Sequence, residues 1–138
     1  DVCSSDLVCG ILQVTDVARF ARRRRMPSFI FDRLAEISAS YLPMEVGGTS
    51  LELADPLCLL ERGERPQRAL PPFFIPCGTK DPLLDDTRRL GRALEALGVR
   101  ADVRIYPGEV HAFHALMWRP HAKQCWAETH AFLRGVLP

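Results

Sequence analysis

Between Pro71 and Phe113 the sequence sets out an apolar run, a helix-patterned stretch and a second apolar run, and each apolar run ends in a loop bearing a titratable residue. The first loop is Gly78-Thr79-Lys80-Asp81-Pro82-Leu83-Leu84-Asp85-Asp86; the second is Pro107-Gly108-Glu109-Val110-His111-Ala112-Phe113. This order constrains the chain to an α/β fold with a doubly wound sheet. In such a sheet ligands bind outside the carboxyl ends of the strands, which is where Asp81 and His111 would both project.

The local signals agree with that architecture. Pro71-Pro72 bars a helical start, and Phe73-Phe74-Ile75 supplies the apolar run of a strand. Pro76 is awkward within it, because proline donates nothing to a ladder; the strand should lie at an edge there or loosen its pairing. A helix is expected from Pro82 to Leu97, with Leu83, Leu90, Leu94 and Leu97 in one stripe and Gly98 as the cap. Asp85 and Asp86 fall in its first turn, where carboxylates meet the positive end of the helix dipole. They thus have a structural task, whereas Asp81 sits on the loop and is the better candidate acid. From Val99 to Tyr106 the chain alternates, with Val103 and Ile105 inward and Asp102 and Arg104 outward. Pro107-Gly108 ends that strand. A last helix starts near Pro120 and presents Ala122, Cys125, Trp126, Thr129, Phe132, Leu133 and Val136 at helical spacing, so that Trp126 and Phe132 are expected in the core.

Upstream, Cys9 to Val14 is short and apolar and predicts a buried parallel strand. Residues 16–70 form an irregular excursion containing Arg22 to Arg25, Pro27, Pro43 and Gly47-Gly48. Within it Phe29, Ile30, Leu34, Ile37 and Tyr41-Leu42 recur at spacings near three and four, predicting an amphipathic helix over about Pro27 to Tyr41. That helix either borders the ligand site, in which case Phe29→Ala should alter ligand selectivity, or merely packs on the sheet.

An acid followed by a histidine is two thirds of a hydrolytic triad, and nucleophile, acid, histidine is the chain order of α/β-hydrolases. The Pro-Pro-Phe-Phe-Ile strand, the Gly-Thr-Lys-Asp-Pro-Leu-Leu-Asp-Asp turn, the helix ending at Gly98-Val99, the strand through Tyr106 and Gly-Glu-Val-His-Ala-Phe occur in order. From Val8 onward the chain thereby resembles the hormone-sensitive-lipase-like branch of the α/β-hydrolases, serine carboxylesterases and lipases. The resemblance implies Asp81 as triad acid and His111 as triad base, a small-molecule carboxylic ester of short or medium chain as substrate, and no metal or organic cofactor. It also implies an upstream His-Gly-Gly oxyanion loop and a Gly-x-Ser-x-Gly elbow, neither of which occurs here. Ser4, Ser5, Ser28, Ser38, Ser40 and Ser50 all lack the flanking glycines of a nucleophile elbow. The chain is therefore expected to be the C-terminal part of one α/β-hydrolase domain, with about three parallel strands, residues 16–70 forming a cap-like excursion, and no activity alone. Asp1 to Leu7 reads as the conceptual translation of a common sequencing-library adapter, so the biological sequence is expected to begin at residue 8.

Charge and composition narrow the remaining classes. Net charge is +1, and leaving out Asp1 and Asp6 raises it to about +3, too little for a polyanionic partner. Arg22-Arg23-Arg24-Arg25 lacks interleaved aromatic residues and reads as a solvated face rather than a nucleic-acid contact. No apolar run approaches the roughly 20 residues of a membrane span, and a cytoplasmic location is expected. Cys9, Cys58, Cys77 and Cys125 show no close metal-ligand spacing and read as buried, reduced thiols. His114 is a near neighbour of His111 suited to hydrogen bonding, while His121 and His130 read as structural or solvated. Two other functions fit the same residues: a peptidase or amidase with the same triad, and a noncatalytic binding module that kept the fold.

Overall fold

The computed structural model describes residues 5–6, 10–21, 27–42, 51–64 and 66–137, with backbone alone at residues 5, 6 and 21. The arginine run at 22–25, read as a solvated face, and Cys9 lie outside these residues. In chain order the elements are β1 (Ser5–Asp6), α1 (Ala18–Ala21), α2 (Ser28–Tyr41), a 3-10 turn (Leu51–Ala54), α3 (Pro56–Glu61), β2 (Phe73–Gly78), α4 (Leu84–Ala96), β3 (Ala101–Tyr106), a second 3-10 turn (Phe113–Ala115) and α5 (Pro120–Val136). Among the described residues the strands form one parallel sheet in the order β1-β2-β3.

The sheet is covered on both faces, and the alternation of β2 decides which side chain goes where. Phe73 and Ile75 join Leu12, Leu57, Leu90 and Leu94 in a core beneath α3 and α4. Phe74 points the other way and meets Phe132 of α5, ring centroids 5.6 Å apart. Each such fully buried aromatic or leucine contributes about 1.5–3 kcal/mol of transfer free energy. Gly91 brings α4 close to β3, because a Cβ there would lie 2.9 Å from Val103 Cγ2.

Pro76 is tolerated in this central strand for a geometric reason. Phe73 N–H donates to Arg100 O (2.9 Å) and Thr79 N–H to Tyr106 O (3.0 Å). The odd-numbered residues therefore face β3, and the proline nitrogen turns to the opposite side. Pairing with β3 runs unbroken through Pro76, while among the described residues the pairing with β1 covers Phe73 and Phe74 only. The proline nitrogen thus lies on a locally unpaired side, in line with the sequence expectation of an edge there.

Helix α4 begins two residues later than Pro82 because Asp81 folds back on its own turn: its Oδ1 accepts from Leu83 N–H at 2.8 Å. It ends as read from the sequence. Gly98 adopts φ +71°, Gly98 N–H donates to Glu95 O (3.0 Å) and Val99 N–H to Leu94 O (2.9 Å), closing a Schellman motif. On α5, Ala122, Cys125, Thr129 and Phe132 are buried. Trp126 is exposed instead, its ring set against His114 and His130.

The strand expected over Cys9–Val14 is not formed at Gly10–Val14; the backbone pairing with β2 comes from Ser5–Asp6. Leu12 and Val14 are buried as their apolarity requires, but side chains and helix ends take up their backbone groups. Leu12 N–H donates to Asp86 Oδ2 (3.4 Å), Val14 and Thr15 N–H to Asp55 Oδ1 (2.7 and 3.1 Å), and Leu57 N–H to Leu12 O (3.1 Å). The Thr15 hydroxyl also bonds Asp55, and the Ser38 hydroxyl bonds Val14 O.

Asp86 is the charged pivot of this side. Its side chain is 1% exposed, and Arg19 clamps it with Nη2 at 2.6 Å from Oδ2 and Nε at 3.3 Å from Oδ1. Arg89, 3.8 Å away, is itself held by Glu61 and Gln13. The Glu61 hydrogen bond, ahead of the opposing effect of burial, keeps the Arg89 guanidinium firmly protonated. Removing one member of a buried pair leaves an uncompensated charge. Arg19→Met should therefore lower unfolding free energy by about 3–5 kcal/mol, whereas Arg19→Met with Asp86→Leu should recover more than half of that loss in urea titrations; simple additivity would show that the pair is not coupled.

Candidate active site

Beyond the strands, the β2–β3 ladder continues through the two loops that follow them. Thr79 N–H donates to Tyr106 O (3.0 Å), Gly108 N–H to Thr79 Oγ1 (2.8 Å) and Lys80 N–H to Glu109 O (2.9 Å). These bonds stitch the turn carrying Asp81 to the turn carrying His111. Gly78 makes the seam possible, since a Cβ there would sit 2.2 Å from Glu109 O.

The structure brings the two sequence-predicted site residues together. His111 Nδ1 lies 3.2 Å from Asp81 Oδ2 and 3.3 Å from Oδ1. With an ionised carboxylate as acceptor, Nδ1–H is the donor and Nε2 is the unprotonated nitrogen of the ring. Burial is unequal: the Asp81 side chain is 1% exposed and that of His111 47%. The carboxylate is thus walled in with its acceptor sites occupied by Leu83 N–H and the imidazole, while the imidazole's far edge faces outward.

The loop around His111 is tightly specified. Gly108 has φ +76°, and Ala112 has φ +56°, a left-handed conformation that costs a non-glycine residue of order 1–3 kcal/mol. The reversal at Ala112 drives Phe113 into the core, 4.9 Å from the Tyr106 ring, while leaving His111 outside. Burial first, and then a 2.7 Å hydrogen bond to Glu128, push the Tyr106 hydroxyl well above the ordinary phenol range. Tyr106 therefore stays a neutral wall beneath the loop.

An apolar cavity of about 420 Å³ opens beside His111, bordered by Leu34, Ile37 and Tyr41 of α2 and by Leu53, Leu83 and Val14. Helix α2 both packs and borders the site: Leu34 clusters with Phe20 and Leu83, while Ile37 and Tyr41 face the cavity. Phe29 is 66% exposed and borders no part of this cavity, so Ile37 and Tyr41, not Phe29, are the residues placed to sense a ligand.

The other candidates separate clearly. Asp85 is exposed and 4.0 Å from Arg88, and Asp86 is committed to Arg19. His114 lies edge-on to Phe113 and Trp126, and its carbonyl accepts from Trp126 Nε1–H (3.0 Å). His121 binds Glu109. Sequence reasoning missed Thr79, Asp55 and Glu109; only the buried state of Asp55 and Glu109 marks them, and no local pattern announces it. Among the described residues no three His, Cys, Asp or Glu side chains gather into a metal-holding group, and no helix is long and apolar enough to cross a membrane.

A family model described as alpha/beta hydrolase fold matches residues 9–115. The chain belongs to that family. It falls in the hormone-sensitive-lipase-like branch read from the sequence. Over 46 residues it is 44% identical to the acetyl esterase of Salmonella dublin, a stretch that covers 33% of this chain and 14% of the relative. Among solved structures, an esterase/lipase from an uncultured bacterium superposes with TM-score 0.68 at 23% identity, over 96% of this chain and 42% of that one. The esterase EstE5, soaked by p-nitrophenyl butyrate, gives TM-score 0.61 at 23% identity over the same shares. The chain thus spans less than half the length of these structures, and at such identities they speak to the fold alone.

Gly78→Ala tests the seam. Its methyl group meets backbone that has no flexible end to yield, so stability should fall by about 1–3 kcal/mol and the downfield proton NMR signal of His111 Nδ1–H should broaden or vanish. A wild-type melting curve together with an unchanged signal would show that the two loops do not depend on this contact.

Proposed function

We propose that Asp81 and His111 are the acid and base of a serine carboxylesterase or lipase. The observation that carries this reading is the pairing of a fully buried Asp81 with a half-exposed His111 at the mouth of an apolar cavity. Family membership and the likeness of a 46-residue stretch to an acetyl esterase support it.

The chemistry follows from the geometry. A serine hydroxyl placed at His111 Nε2 would lose its proton to that nitrogen as it attacks an ester carbonyl. Asp81, already accepting from Nδ1–H, would hold the imidazole in the required tautomer and stabilise the imidazolium. His111 would next protonate the departing alcohol, and water would repeat the cycle on the acyl-enzyme. The cavity formed by Ile37, Tyr41 and Leu34 suits the apolar part of a short or medium acyl chain, burial of which contributes about 0.8 kcal/mol per methylene.

The nucleophile is assigned to a serine outside these 138 residues, together with the backbone amides of an oxyanion hole. Ser38 is buried and bonded to Val14 O, while Ser28 and Ser40 lie on α2. None follows a strand in a tight turn. On this reading the chain supplies the acid-and-histidine half of the site and hydrolyses nothing alone.

Two experiments on the complete protein decide the matter. With p-nitrophenyl butyrate, Asp81→Asn should reduce kcat about 10⁴-fold and His111→Ala at least as much, with no ester turnover by the 138-residue chain; retained activity in both variants would exclude the triad assignment. Ile37→Trp should raise KM for a medium-chain ester about tenfold while sparing the acetate ester. An equal effect on both would remove the cavity from the acyl site.

A further inference from the structure

Glu109 occupies the loop two residues before His111, and its environment differs from that of its neighbours. Among the described residues between Tyr106 and Phe113 it is the only buried one; Pro107, Gly108, Val110 and His111 are exposed. A buried carboxylate is costly unless it is paired. Here His121 Nδ1 lies 2.9 Å from Oε1, and Arg119 Nη1 lies 3.1 Å from Oε2, off the line of a hydrogen bond and therefore held by charge. Both partners stand at the start of α5, where the helix dipole adds to the attraction for an anion.

The backbone of the same residue is tied on the opposite side. Glu109 O accepts from Lys80 N–H at 2.9 Å, immediately before Asp81, and Glu109 N–H reaches Tyr106 O at 3.4 Å. One residue thus links the Asp81 turn, the end of β3 and the first turn of α5. His111 lies two residues further along the same loop, so where the loop is pinned bears on its distance from Asp81.

We propose that Glu109 is a positioning residue for His111, holding the loop to α5 so that Nδ1–H meets the Asp81 carboxylate. This rests on His111 being the base of the esterase reading. Glu109 takes no proton from substrate and acts through the backbone of the loop.

The test uses the complete protein with p-nitrophenyl butyrate as substrate and the downfield Nδ1–H proton signal of His111 as a second readout. Glu109→Ala should lower kcat by up to about 10²-fold, leave KM within about twofold and weaken the Nδ1–H signal. Glu109→Gln keeps the shape and an acceptor for His121, so it should restore kcat to within a few-fold of wild type. A Glu109→Ala protein with lowered melting temperature but wild-type kcat and signal would overturn the proposal, as a purely structural residue behaves that way. Should Glu109→Ala fail to fold, Arg119→Ala combined with His121→Phe removes the same anchors from the surface side, and unchanged kcat in that variant overturns the proposal equally. If the wild-type protein hydrolyses no ester, the esterase reading fails by itself, and the NMR signal still reports whether Glu109 sets the Asp81–His111 pair.

Discussion

The parallel pairing of β2 with β3 is the constraint on which the candidate site depends, because it does not stop where the strands stop. Amides of Thr79, Lys80 and Gly108 carry it onward through the two loops. A parallel ladder places both strands' carboxyl ends on the same edge, so two residues far apart in sequence emerge side by side. The seam then fixes their spacing to hydrogen-bond distance. Gly78 is the one position where absence of a side chain is required for that approach, as the neighbouring backbone cannot move aside.

Around this seam the chain spends its buried charges unevenly. Asp55, Asp81, Asp86 and Glu109 are each nearly inaccessible, yet each accepts bonds from a different part of the molecule. Asp55 and Asp86 hold the segment after β1 against α3 and α4, in place of the strand that its composition suggests. Asp81 and Glu109 face the other end, one beneath the imidazole and one behind its loop. Buried carboxylates are expensive, so their partners sit on elements that must be brought in by folding. They serve as registration points as well as sources of stability.

Much of this was legible locally. The helix from the Asp81 turn to Gly98, the apolar β2 and the strand β3 follow from capping and periodicity, and the structure contains each of these elements, while the preference for Asp81 over Asp85 and Asp86 rests on a dipole argument. The paired strand before residue 10 and the exposure of Trp126 and Phe29 were not legible. Apolar runs report burial, not the partner that provides it: Leu12 and Val14 are buried without a ladder, and two of three aromatic residues read as interior or ligand-facing turn outward. Pro76 costs β2 nothing against β3 because its nitrogen faces the other side, a matter of register.

The sequence by itself determined the α/β class, the two loops at strand ends and the residue types that can exchange a proton there, since these depend on near-neighbour chemistry and on spacing along the chain. Tertiary structure alone decided that His111 meets Asp81, that Ile37 and Tyr41 rather than Phe29 border the cavity, and that Glu109 is buried against Arg119 and His121. The physical reason is that a pairing between distant residues is created by packing and ladder register, and neither leaves a periodic trace in either partner's own neighbourhood.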